Sequence, residues 1–138
     1  MKTADAIAEI LKREGVEWLI GYPVNHVIEH AARVDVRPIM VRQERTGLHM
    51  ADAISPVTSG RKLGVFAMQH GPGTENAYGG VAQAYSESIP ILVLPMGYAR
   101  AQAWTARNYY ASHSMQTIAK SADADGAGPG GDRAGGGD

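Results

Sequence analysis

One glutamate in this 138-residue chain stands where acid–base chemistry is easiest to arrange. Residues 37–41 read as an apolar strand, Arg42-Gln43-Glu44 follows at once, and a helical pattern begins there, with Leu48, Ala51 and Ala53 as its apolar positions. A carboxylate at such a place can hold or release a proton for a ligand beyond the strand end. It can equally be a surface acid that meets the positive end of a helix dipole. A second unusual stretch is Gly71-Pro72-Gly73-Thr74-Glu75-Asn76. It reads as a tight strand-to-helix turn, in which glycine supplies backbone angles that other residues avoid. A phosphate loop at a helix start is the rival reading, but the Lys-Ser/Thr of a P-loop is missing and the last residue breaks the dinucleotide-binding pattern. Gln69 and His70 precede the turn, and a histidine there can be a proton shuttle or a hydrogen-bonded structural residue. His26 and His30 are four apart, the spacing of a helical metal pair. No Cys or third ligand accompanies them, so no metal site is expected. His49 is expected to pack within the helix that Glu44 begins, and His113 receives no role.

The elements that must position these residues alternate. Ala4, Ile7, Ala8, Ile10 and Leu11 recur at helical spacing, and Gly15 stops that helix. Residues 16–20 form a short strand, Gly21-Tyr22-Pro23 turns the chain, and Asn25 can cap a helix carrying Val27, Ile28, Ala31 and Ala32. The helix from Glu44 runs to about residue 59, with Pro56 expected to kink it or end it early. Residues 63–68 give a third strand, 74–85 a helix with small residues on one side, and 89–94 a fourth strand. Residues 101–110 fit a loop and 114–119 a short helix. Strands alternating with helices predict an α/β fold of three layers, a mostly parallel sheet with helices on both faces. Ligands of such sheets bind beyond the carboxyl ends of the strands. Three loops leave those ends: residues 21–25, 42–46 and 69–76.

Composition narrows the function classes. The charge is nearly balanced at −1, so no basic footprint points to nucleic acid and no polybasic cluster to an anionic membrane. Cysteine is absent, which removes disulfide and thiolate chemistry. The start of the chain mixes charges into an amphipathic pattern, unlike a targeting peptide. No apolar run is long enough to span a bilayer. A soluble cytoplasmic protein is the expectation. Near residue 121 the composition changes: residues 121–138 hold seven of the 17 glycines and four aspartates, without Val, Ile, Leu, Met or aromatic residues. Such a segment cannot bury enough apolar surface to offset its ordering entropy, so a disordered tail is expected after a domain at 1–120.

Four motifs in one order carry a resemblance. Gly21-Tyr22-Pro23, then Arg42-Gln43-Glu44 with Gly47, His49, Met50, Ala51, Asp52 and Ala53, then Gly71-Pro72-Gly73 with Asn76, then Ser88 and Pro90 resemble the N-terminal, pyrimidine-binding domain of acetolactate-synthase-like thiamine diphosphate enzymes. The similarity covers roughly residues 3–100. It implies that Glu44 bonds a ring nitrogen of the cofactor's aminopyrimidine and shares a proton with it, which helps the cofactor lose the proton of its reactive carbon. It implies further that Pro23, Pro72 and Asn76 lie on the cofactor side and that the 71–76 turn walls the cavity. Val24, Asn25, Gln69 and His70 are then candidates for the substrate side. Val24-Asn25 stands where acetolactate synthases read Gly-Gly, in a stretch that lines the substrate region.

The same resemblance implies what is missing. Diphosphate and magnesium are held in the family by another domain with a Gly-Asp-Gly motif followed by Asn. Gly126-Ala127-Gly128 and Gly131-Asp132-Arg133 do not match it. The expected partner is therefore a diphosphate-binding domain, of the same enzyme or of a second subunit, in a homo- or hetero-oligomer. The expected function is the pyrimidine-side half of an enzyme that decarboxylates or ligates a small 2-oxo acid, inactive alone, with a truncated or a split enzyme as its setting. A non-catalytic α/β module binding a nucleotide or a partner protein is the alternative.

Overall fold

A computed structural model describes residues 2–97. The expected loop at 101–110, helix at 114–119, domain limit at 120, tail from 121 and His113 lie outside the described residues. The element order is α1 (Thr3–Arg13), β1 (Trp18–Gly21), α2 (His26–Arg33), β2 (Arg37–Met40), α3 (Glu44–Val57), β3 (Gly64–Met68), α4 (Pro72–Ser86) and β4 (Ile91–Pro95). The strands pair in parallel in the order β2-β1-β3-β4. The chain thus steps from β1 to one side and then crosses to the other. The switch point falls between β1 and β3, where sheets of this type bind ligands.

Strand alternation explains the layers. Leu19, Val65, Ala67, Leu92 and Leu94 pack with Ile7 and Leu11 of α1 and with Val27, Ile28 and Ala31 of α2. Their neighbours in sequence, Ile20, Phe66, Met68, Ile91 and Val93, pack with Leu48, Ala51 and Ile54 of α3 and with Ala77 and Val81 of α4. Successive side chains of a strand point to opposite faces, so both faces of this sheet are covered, as parallel sheets require. β3 is buried at all five positions, which fits its interior place.

Local rules set the boundaries. Gly15 follows α1 with φ of 74°. The Asn25 side chain accepts the Val27 N–H and caps α2. Pro56 sits in the last turn of α3, which ends one residue later at Val57, and its ring nitrogen makes no helical bond to residue 52. Pro72 is the first residue of α4, where its missing N–H and fixed φ cost nothing. No helix among the described residues is long and apolar enough to cross a membrane.

Candidate functional site

α3 begins at Glu44 immediately beyond the carboxyl end of β2, so the glutamate inherits its place from the strand-to-helix junction. Its side chain is only 4% exposed. A carboxylate is rarely buried unless something pairs with it. Here the pair is Asn76 in the first turns of α4: its Nδ2 donates to Glu44 Oε2 at 3.2 Å. The other oxygen, Oε1, faces Gly73, where a methyl group would stand 3.2 Å from it and 2.5 Å from Gln69 Cγ. The bend that delivers Gly73 turns on Gly71, whose φ of 55° and ψ of −113° suit glycine alone. Thr74, wholly buried, donates from its hydroxyl to the Gln69 carbonyl at 3.4 Å and ties the turn to the strand end.

The 44 and 69–76 loops therefore meet. α3 and α4 lie side by side, and their seam has three steps. Glu44 meets Asn76. One turn on, Gly80 leaves room for Leu48, whose Cδ2 is 2.6 Å from where a methyl on Gly80 would stand. Two turns on, Gln83 Nε2 reaches Asp52 Oδ2 at 3.5 Å, while Asp52 Oδ1 is buried without a hydrogen-bond partner among the described residues. The matched helical spacing of 44, 48, 52 and 76, 80, 83 is legible in the sequence, but only once the two helices are known to be neighbours.

The 21–25 loop is placed differently. Asn25 is 8% exposed. Its Oδ1 takes the Val27 N–H, and its Nδ2 donates to the carbonyls of Met68 at 2.9 Å and Leu94 at 2.8 Å. Both amide protons are thus taken, and this substrate-side candidate fastens the ends of β3 and β4 to the loop after β1. It also lines a groove of about 580 Å³ bounded by Thr3, Ile7, Val27, Leu94 and Pro95, on the α1–α2 side of the sheet, not on the side of Glu44. Val24 is 58% exposed, Pro23 and Pro72 are exposed, and Gln69 and His70 are half-buried at the end of β3. His26 is exposed at the start of α2. His30, four residues on, bonds Asp5 of α1 through Nδ1 at 2.5 Å, so the two histidines form no shared site. No group of three His, Cys, Asp or Glu residues among the described residues could hold a metal ion.

The residues present fit the pyrimidine end of a thiamine cofactor. A buried carboxyl stands at a strand end with one oxygen pinned by Asn76 and the other against Gly73, where any larger residue would crowd it.

The family described as "Thiamine pyrophosphate enzyme, N-terminal TPP binding domain" matches residues 1–122. The acetolactate synthase large subunit of Haemophilus influenzae is 33% identical over 95 residues, covering 66% of this chain and 16% of the relative. The large subunit of acetolactate synthase isozyme 3 of Escherichia coli is 34% identical with the same coverage. The chain thus spans about one sixth of the length of these relatives. The crystal structure of benzoylformate decarboxylase from Polynucleobacter necessarius superposes with a TM-score of 0.63 at 23% identity, over 76% of this chain and 20% of that one, a likeness of fold. Fold, motifs and sequence match converge: the chain belongs to the thiamine pyrophosphate enzyme family and carries its N-terminal TPP-binding domain.

Proposed function

We propose that this chain supplies the pyrimidine side of a thiamine-diphosphate-dependent decarboxylase or carboligase acting on a small 2-oxo acid, with Glu44 as the acid–base group. The observation that carries the reading is the buried Glu44 carboxyl at the end of β2, held by Asn76 through one oxygen and packed close to Gly73 with the other. When bound, thiamine diphosphate supplies a carbon nucleophile for the substrate carbonyl. Glu44 holds the proton shared with a pyrimidine ring nitrogen. The 69–76 turn walls the ligand and excludes water. Gln69 and His70, half-buried at the same strand end, lie toward the substrate. A diphosphate-binding domain, of the same enzyme or of another subunit, supplies the metal and diphosphate contacts. The chain alone is then expected to show no turnover of pyruvate with thiamine diphosphate and magnesium. Turnover by the purified chain would overturn the division of labour proposed here.

The direct test is hydrogen–deuterium exchange at the cofactor's reactive carbon, with the chain completed by its diphosphate-binding domain and saturated with cofactor. Glu44→Gln keeps the size and a hydrogen-bonding group but cannot exchange the proton. The exchange should slow by ~10²–10⁴-fold, the usual worth of general acid–base help. Glu75→Gln, one turn into α4 and exposed, should leave it unchanged. Equal exchange by Glu44→Gln and the parent would reduce Glu44 to a helix-start carboxylate.

A further inference from the structure

We propose that Asn76 is a positioning residue that selects which Glu44 oxygen is offered to the ligand; this rests on Glu44 being the pyrimidine-side carboxyl. The terminal torsion of a glutamate is broad and nearly two-fold, so a carboxyl without a fixed donor presents either oxygen. A carboxylate only accepts, so the atom of the Asn76 amide that faces it is the donor Nδ2. That donor takes Oε2 at 3.2 Å. Oε1 is left on the side of Gly73 and the Gln69 side chain, a close approach that only a residue without a Cβ allows. The amide thus converts two equivalent oxygens into one held and one free.

Three further features make this more than a chance contact. The helix register is set one turn away, where Leu48 packs into the space left by Gly80, and with that register fixed Asn76 can only fall beside Glu44. The partner is 32 residues distant in sequence, so the contact is a tertiary one and not a local cap. Asn76 itself is exposed on α4, so its amide is not needed to fill the core.

The test uses the full chain, with carbon-13 in the glutamate side chains and nitrogen-15 in the asparagine amides. Asn76→Asp keeps the shape and removes the donor, Asn76→Ala removes both, and Asn76→Gln restores an amide. Because Asn76 is exposed, the backbone amide spectrum should show each variant folded. Without ligand, the parent should show one Glu44 side-chain rotamer and cross-relaxation between the Asn76 amide protons and the Glu44 methylenes. Both Asn76→Asp and Asn76→Ala should average the rotamer. The aminopyrimidine half of thiamine, added as a separate molecule, should bind about tenfold more weakly to these two variants, the scale of one hydrogen bond to a charged group. Asn76→Gln should recover part of the loss. A Glu44 rotamer as ordered in Asn76→Asp and Asn76→Ala as in the parent overturns the proposal. Absence of pyrimidine binding by the parent would instead remove the reading on which it rests, and the ligand-free comparison would still decide whether Asn76 positions Glu44.

Discussion

At the scale of single residues, buried amides and carboxyls do more here than the hydrophobic pattern reveals. Asn25 joins a helix cap to two tertiary bonds. Asn25→Ala should destabilise the chain by roughly 3 kcal/mol, about 1 for the cap and the rest for two carbonyls left without a donor. Asn25→Asp keeps the capping oxygen but sets a charged acceptor against the same two carbonyls, so it should cost more, about 4 kcal/mol. Urea unfolding of the three proteins checks the order, and equal midpoints would remove the tie. Asp5 gives a pH signature. The Lys2 backbone N–H, and then His30, hold the Asp5 carboxyl below its ordinary 3.8. A lowered native value means the stabilisation is full above that ordinary value and is lost as pH falls through the native one. The melting-temperature gap between the parent and Asp5→Asn should therefore be present at neutral pH and close under acid, below 3.8. A gap that widens with acid would contradict the sign.

At the scale of elements, the packing of α3 on the sheet depends on a glycine in a strand. A methyl on Gly64 would stand 1.8 Å from the Ala51 carbonyl oxygen. That obstacle is backbone, which no rotamer change can relieve. Gly64→Ala should cost about 3 kcal/mol, at the upper end of overpacking, although alanine alone suits a strand better than glycine. Thermal unfolding measures it, and a variant as stable as the parent would mean that α3 does not lie where it is described. The same helix begins at Glu44, two turns before Ala51, so this contact and the Leu48–Gly80 step together set the site. Gly64 is not recognisable as a contact in the sequence, where it merely weakens a strand pattern, whereas Gly80 belongs to the small-residue side of the 74–85 helix, which permits a close helix contact without naming its partner.

At the scale of the whole molecule, four of the exposed large hydrophobic residues lie on α3 and α4: Met50, Val57, Tyr78 and Tyr85, the last at 87% exposure. Beneath this surface Asp52 keeps one buried oxygen without a partner among the described residues. Exposed apolar patches promote association, so the chain should self-associate as concentration rises. Sedimentation velocity should show the weight-average mass climbing, and the double substitution Tyr78→Lys with Tyr85→Lys should return it toward the monomer. A parent that stays monomeric at high concentration would show that this surface needs no cover.

The sequence by itself determined the order and kind of the elements, because strand and helix periods, Gly15 and Asn25 act within a few residues of themselves. It also determined that three loops gather beyond one end of the sheet, since every strand-to-helix junction of a parallel sheet lies there. The position of Glu44 was legible for the same reason. What the sequence did not determine was the partner of each side chain. Asn76 meets Glu44, and Asn25 reaches Met68 and Leu94, through contacts 32, 43 and 69 residues apart. Those pairings follow from the strand order and from how closely two helices approach. Local periodicity carries neither quantity. Only the packed tertiary structure decides them.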